Sequence, residues 1–120
     1  MNSQEAGIAL LRTITGVDME NGGGPTTIYT APYGQTVYVF AVMVSNPSAS
    51  LAGGTDYDIA GWKDTLNFSS VVASDDFLWL YNDTVGDALA PGDDFVLTTV
   101  TGSTVAATAT WRLFGFIVRQ

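Results

Sequence analysis

The stretch GQTVYVFAVMVSNP, residues 34–47, most constrains what this chain can fold into. Between Gly34 and Pro47 nearly every side chain is apolar, and β-branched and aromatic residues, which favour strands, dominate. Successive side chains of a strand point to opposite faces. The stretch therefore predicts a strand that is apolar on both faces, whereas a sheet in a two-layer sandwich buries only its inner face.

Turn signals rich in Gly, Pro, Asn and Asp recur along the chain, for example NGGGP at 21–25 and APGDD at 90–94. The segments between them are short, and none has a sustained helical period. This pattern predicts an all-β fold, an antiparallel β-sandwich whose strand count matches an eight-stranded jelly roll. The predicted strands are Ile8–Thr15, Thr26–Thr30, Thr36–Ser45, Tyr57–Gly61, Leu66–Ala73, Phe77–Tyr81, Phe95–Val100 and Val105–Val118. The last strand is long enough to bend at Gly115. The segment GWKDTLNF, residues 61–68, could instead form one helical turn.

Length and charge restrict the domain organisation and the partners. The 120 residues fit one domain, predicted over residues 8–120 behind a polar N-terminal arm, residues 1–7. Twelve acidic residues against four basic ones give a net charge of -8, which disfavours nucleic-acid and membrane partners. The N-terminus shows neither a secretion signal nor a membrane span, so we expect synthesis in a cytoplasm.

The residue types needed for catalysis are scarce in this chain. Histidine and cysteine are absent, which removes the usual general base and the thiol nucleophile. The acidic pairs Asp75–Asp76 and Asp93–Asp94 lie in turns, where Asp is favoured by hydrogen bonds to the backbone. We therefore expect no enzyme activity, no catalytic residue and no cofactor. The segment DYDIAGWKD is interpreted as a solvated acidic loop, and the alternative interpretation is a calcium-binding site. Its candidate ligands are Asp56, Asp58 and Asp64.

Three segments are apolar on both sides: residues 37–44, FLWLY at 77–81 and WRLFGFIV at 111–118. Leaving one Phe or Trp exposed forgoes about 2–3 kcal/mol of burial. We predict that a second copy or a larger protein surface covers part of this surface. The alternative is that loops such as residues 45–56 fold back over it. The predicted interface residues are Tyr38, Phe40, Val42, Val44, Leu78, Leu80, Phe114 and Phe116.

Three segments together resemble small structural proteins of tailed bacteriophages: LLRTITGV, TTIYTAPYGQTVYVFAVMVSN and ATATWRLFGFIV. In that group a T-x-P-x-G turn precedes a long apolar strand, and a strand ending in L-F-G-[FY] closes the domain. Here Pro32 and Gly34 match the turn, and residues 113–116 match the closing strand. The resemblance implies a jelly-roll β-sandwich similar to head decoration (cement) proteins.

The function that the resemblance implies is a virion structural protein on the capsid exterior. It would act as a dimer or trimer, bind the major capsid protein and stabilise the shell, with residues 1–7 adding backbone contacts to a neighbour. Two alternatives remain: a phage tail or fibre module that binds a host-surface glycan, and a free carbohydrate-binding domain. A glycan site needs an exposed aromatic side chain with polar neighbours, and Trp62 is the candidate. Trp62, Trp79 and Trp111 together have a sugar-stacking platform as one interpretation, but we expect core positions for these aromatic residues.

Overall fold

A computed structural model of the chain describes residues 8–59, 63–73, 76–81 and 88–119. Within these ranges all regular structure is β, and no helix is long and apolar enough to cross a membrane. The predicted arm, residues 1–7, lies outside the described residues. The strands are β1 (Ala9–Asp18), β2 (Thr26–Thr30), β3 (Gln35–Ser45), β4 (Asp56–Ile59), β5 (Lys63–Leu66), β6 (Phe77–Tyr81), β7 (Asp94–Thr101) and β8 (Thr108–Arg119).

The eight strands form two four-stranded antiparallel sheets, ordered β1-β8-β3-β6 and β2-β7-β4-β5. The first strand pairs with the eighth, the second with the seventh, the third with the sixth and the fourth with the fifth. A long hairpin rolled over on itself produces this nested pairing, which is the strand order of a jelly roll. The predicted sandwich and its strand count are confirmed for the described residues.

A continuous apolar core fills the space between the two sheets. Trp111 of β8 is fully buried in it, as expected, and its ring meets that of Phe68 edge to face at 5.6 Å between centroids. Phe68 in turn lies 5.1 Å from the ring of Tyr57 in β4. These three aromatic side chains connect the two sheets through the loop that follows β5.

The chain between β5 and β6 begins as a turn, so the strand predicted over Leu66–Ala73 is wrong. The side-chain oxygen of Asn67 accepts hydrogen bonds from the backbone N–H and the hydroxyl of Ser69, at 2.9 and 2.6 Å. Such a bond to the residue two positions on forms an Asx-turn and competes with strand pairing. Phe68 and Val71 still fill the core, but from a loop. The helical alternative for this region is also wrong at Lys63–Leu66, which form β5.

The strand predicted from Val105 begins only at Thr108. The cause is Ser103, which is fully buried and whose hydroxyl lies 3.0 Å from the carbonyl oxygen of Met19 and 2.8 Å from that of Val105. The hydroxyl donates its one hydrogen to these carbonyl oxygens, and the backbone N–H of Ser103 donates to the carbonyl oxygen of Met19 at 2.9 Å, so residues 103–105 are held in a turn against the loop after β1. Local hydrogen bonding of a serine side chain therefore delays the strand.

The central strand β3 has one extra residue relative to β8. Its pairing with β8 skips Phe40, between the partners of Gly115 and Phe114, which is a β-bulge. A Cβ atom added at Gly115 would overlap the carbonyl oxygen of Tyr38, because the bulged strand passes so close. Gly115 is therefore the position at which the bulge requires a residue without a side chain.

Replacing Gly115 with alanine tests this close approach. We expect Gly115→Ala to lower the free energy of unfolding by about 3 kcal/mol or more, because the added methyl group would overlap the backbone of Tyr38, which cannot move aside as a flexible side chain can. Gly16→Ala is the control: Gly16 has a φ of 70° but open space around its Cα, so we expect a cost of about 1 kcal/mol. Urea unfolding followed by tryptophan fluorescence measures both. If both substitutions lowered the free energy of unfolding by the same small amount, the close approach of the bulged strand to Gly115 would be contradicted.

The phenol of Tyr57 gives a second prediction. Its hydroxyl donates to the carbonyl oxygen of Met19 at 2.6 Å and accepts from the backbone N–H of Ser103 at 3.1 Å, so Tyr57→Phe should cost about 1–2 kcal/mol at pH 7. Burial raises the pKa of Tyr57, and burial also raises that of Tyr29. The folded state thus binds these protons more tightly than the unfolded state does.

The contribution of these two tyrosines to the free energy of unfolding should therefore be fully present below pH ~10, the ordinary pKa of tyrosine. It should decrease as the pH rises above that value. Tyr57→Phe should reduce this alkaline loss, and Tyr29 should account for part of what remains. Urea titrations between pH 7 and 11.5 measure the slope. Tyr33→Phe, at an exposed phenol, controls for the substitution at pH 7, where it should change stability by less than about 0.5 kcal/mol. An alkaline slope unchanged in Tyr57→Phe would refute the assignment.

Candidate interaction surface

The outer surface of the β1-β8-β3-β6 sheet is lined with aromatic side chains. Cross-strand partners point to the same side of a sheet, and Tyr38 pairs with Phe116 while Ala41 pairs with both Phe114 and Tyr81. Half of the chain's aromatic residues lie on this surface, away from the core. We call it the aromatic face. Its members are Tyr38, Phe40, Phe77, Trp79, Tyr81, Phe114 and Phe116.

Five of the seven rings of the aromatic face contact one another in a connected chain: Phe40, Trp79, Tyr81, Phe114 and Phe116. Phe40 lies edge-on to Tyr81 at 5.8 Å and to Phe116 at 6.2 Å, measured between ring centroids. Trp79 stacks on Tyr81 at 6.2 Å with 12° between the planes, and lies 5.3 Å from Phe114. Edge-to-face and offset pairs of this kind are favourable by about 0.5–1.5 kcal/mol each. The face is therefore a preformed surface rather than a set of independent side chains.

Nothing in the described part of the chain covers the aromatic face. Tyr38 and Phe40 are each 37% exposed, and Phe77 is 54% exposed. The loop after β3, which was the alternative cover, turns into the core: Leu51 is fully buried, and its N–H donates to the carbonyl oxygen of Val71 at 2.9 Å. The alternative, in which loops such as residues 45–56 fold back over this surface, is therefore wrong.

Val42 and Val44 do not belong to this surface, although strict alternation predicts them there. Both are fully buried in the core. The bulge at Phe40 adds one residue, so that the faces are exchanged for the rest of β3 and Ala41 points outward beside it. The sequence-based assignment is correct up to Phe40 and inverted after it.

Leu78 and Leu80 also lie on the other side from the one predicted. Both are partly buried and pack against the core, so the outward residues of β6 are Phe77, Trp79 and Tyr81. One signal in FLWLY favoured this orientation: Trp and Tyr carry a polar group that can stay in water, whereas Leu has none. Four predicted interface residues thus lie on the aromatic face: Tyr38, Phe40, Phe114 and Phe116. Their role in an interface remains a prediction.

The two sheets differ in charge as well as in apolar character. The strands of the aromatic sheet contain three arginines and one aspartate, a formal charge of +2. The strands of the other sheet contain four aspartates and one lysine, a formal charge of -3. The charged residues are Arg12, Asp18, Arg112 and Arg119 in the first sheet and Asp56, Asp58, Lys63, Asp64 and Asp94 in the second. The two sides of the molecule therefore suit different surroundings.

Several carboxylates have structural partners at turns. Asp93 accepts a hydrogen bond from the N–H of Ala90 at 3.1 Å, and Asp94 accepts one from the hydroxyl of Thr30 at 2.6 Å. Asp76 accepts bonds from two backbone N–H groups, at 3.0 and 3.1 Å. These contacts are what the preference of Asp for turns predicts. The position of Asp75 lies outside the described residues.

Asp56 and Asp58 are brought together on β4. Two residues apart on a strand, they share a face, and their side chains are in hydrogen-bonding contact. Burial first, and then this hydrogen bond and the charge of Asp58, raise the pKa of Asp56. Oδ1 of Asp56 is shielded from solvent without a hydrogen-bond partner, while Asp58 accepts from the N–H of Thr65 at 3.1 Å. Two acidic side chains therefore lie close together on one face of β4.

Only part of the predicted calcium site, and no part of the predicted glycan-binding Trp62, lies within the described residues. The described residues contain no group of three or more acidic, histidine or cysteine side chains that could hold a metal ion. The side chain of Asp64, the third predicted calcium ligand, and the whole of Trp62 lie outside what the structure describes. The exposed tryptophan that it does describe is Trp79, at 38% exposure, contrary to the core position expected for it.

The exchange of faces on β3 can be tested with isosteric substitutions. Val42→Thr introduces a hydroxyl into the core and should lower the free energy of unfolding by about 1–3 kcal/mol. Val118→Thr makes the same change on the outer side of the same sheet, at a half-exposed residue, and should cost less than about 0.5 kcal/mol. Chemical unfolding measures both values. If Val42→Thr left the free energy of unfolding unchanged, Val42 would lie on the outer face, as strict alternation along β3 predicts.

Comparisons with protein-family models, with curated proteins and with solved structures find no match for this chain. The surface is therefore interpreted from its own residues. Its defining property is a connected, exposed aromatic cluster on a weakly cationic sheet, opposite an acidic one.

Proposed function

We propose that this chain is a non-enzymatic virion structural protein, a decoration (cement) protein on the outside of a bacteriophage capsid. The observation that carries the proposal is the aromatic face, which no described residue covers. Exposed apolar patches on small domains mark protein interaction sites. The jelly-roll strand order and the resemblance of residues 26–46 and 107–118 to phage structural proteins give further support.

The mechanism is stabilisation by mass action. A protein that binds across neighbouring shell subunits binds the assembled shell but not the separated subunits, so it adds free energy to the assembled state alone. The internal pressure of packaged DNA then has to overcome this extra term before subunits are lost. No catalytic group or cofactor is needed for such a role, only a rigid domain and an adhesive surface.

The charge distribution supports one orientation. The sheet with a formal charge of -3 suits contact with solvent, whereas the aromatic sheet suits burial in the assembly, either against the shell or against another copy. The major capsid protein and a second copy of the chain are the partners in this proposal, and the capsid exterior is the location.

A tail or fibre module that binds a host-surface glycan is the second candidate. The specific observation in its favour is the stacked pair Trp79 and Tyr81, with planes 12° apart and both side chains partly exposed. Sugar rings bind on exposed aromatic faces with polar groups nearby. The nearest polar side chains are few, because the neighbours of this pair on the face are Phe40 and Phe114. This composition favours a protein partner.

Deleting the gene in the phage that encodes this chain tests the proposal. We expect heads that still assemble and package DNA but release it at a lower temperature, measured with a DNA-binding dye. Purified chain should bind such heads saturably in a sedimentation assay and restore the release temperature. Trp79→Ser should weaken binding at least about tenfold, because the aromatic face is buried in the assembly, against the shell or against another copy, whereas Tyr33→Ser, off the aromatic face, should not.

Immunogold labelling separates the two candidates. Label over the head surface supports the decoration protein, whereas label confined to the tail supports the glycan-binding module. Heads that lack the chain yet show unchanged heat release, and that fail to bind it when it is added back, would rule the decoration role out.

A further inference from the structure

We infer that the aromatic face is a self-association interface, on which a second copy of this chain packs with the same face across a two-fold axis. This deepens the proposed function, on which it rests for its biological role, by naming the occupant of the surface. Size, apolar composition and charge of the face each bear on the choice of occupant.

The size of the face matches a homodimer. Five of its rings are between 37% and 54% exposed, and the adjacent Leu10 and Val118 are about half-exposed. At about 200 Å² for an aromatic side chain, these residues offer roughly 600 Å² of apolar surface per copy. A standard interface buries about 800 Å² per partner, of which about 65% is apolar in homodimers. The available apolar area therefore meets what a stable dimer needs.

The charge of the molecule favours this side for contact between copies. Each copy carries a net charge of -8, so two copies repel one another at long range. Strands β3, β6 and β8 contain no acidic residue, and the single acid of β1 is its last residue, Asp18. Contact through this sheet keeps the acidic sheets on the two outer surfaces, at the greatest separation that two copies can reach.

The shape of the face favours a symmetric arrangement. An isologous contact places the same patch on both sides, so aromatic rings meet aromatic rings and none is left against a polar surface. Two sheets that pack face to face interdigitate their side chains, as the two sheets within one copy already do. Arg112, whose guanidinium donates to the hydroxyl of Ser45 at 3.1 Å, lies beside the face, where it can approach the rings of the partner.

Sedimentation equilibrium of the purified full chain tests the inference. We expect a reversible dimer whose dissociation constant decreases as the salt concentration rises from 50 to 500 mM, because salt screens the repulsion between acidic copies. Tyr38→Glu and Trp79→Glu place an acid in the face and should each raise the dissociation constant at least about 30-fold. Tyr33→Glu, at a residue 89% exposed and away from the face, is the matched control and should change it less than about threefold.

Thiol labelling provides a test that does not depend on a charged variant folding. The chain contains no cysteine, so single cysteines can be placed at Val118, beside the aromatic face, and at Val105, away from it. Both residues are 49% exposed. We expect maleimide to label Val118→Cys at least about fivefold more slowly as the protein concentration rises through the dissociation constant. The labelling rate of Val105→Cys should stay constant.

A chain that stays monomeric up to about 1 mM, or an association equally affected by Tyr33→Glu, would overturn the inference. Slow labelling of Val118→Cys at every concentration, in a chain that sediments as a monomer, would do so as well, since it would mean that the chain covers its own face. These measurements use the isolated chain, whereas the proposed function is measured on phage heads. A monomeric chain that binds heads would remove only the dimer, and a dimer that ignores heads would remove only the decoration role.

Discussion

The β-bulge at Phe40 is the constraint on which the two faces of this jelly roll depend. Before it, Val37 and Val39 point into the core, and after it Val42 and Val44 do. Without the extra residue, the second pair would sit on the outer surface. Because β3 lies between β8 and β6, its bulge also sets which outward residues of those strands meet: Phe40 reaches Tyr81 on one side and Phe116 on the other. The aromatic face thus follows from one inserted residue and from the glycine opposite it.

Much of the fold was predictable, because apolar β-branched runs end at recognisable turns. Two strands, Thr26–Thr30 and Phe77–Tyr81, have the predicted bounds, and the strand count is correct. The failures lie where a side chain bonds to the local backbone. Asn67 forms an Asx-turn inside an apolar run, and Ser103 holds a turn where a strand was expected. A propensity for strand does not register such local competition, because one side chain decides it.

The outer face was only half predictable, for a physical reason. A period of two assigns alternate residues to two faces but does not say which face is buried, and a single bulge exchanges them. An isolated glycine within a strand pattern indicates a bulge or a close approach of backbone. Gly115 is such a glycine, and it lies opposite the bulge of β3. On β6 the alternation was predicted correctly, but the set of side chains assigned to the outer face was wrong. Leu and Trp are both apolar enough to lie either in the core or on the outer face. The pairing with β3 decides it.

The core between the sheets does not need the aromatic face. Trp111, Phe68 and the buried aliphatic residues close it, and no member of the aromatic face belongs to it. An antiparallel sheet with one face in water normally carries polar residues there. Aromatic residues in those positions promote association, and the net charge of -8 opposes association through any acidic surface. In the proposed dimer, attraction through one sheet and repulsion from the other would together select a contact in one orientation.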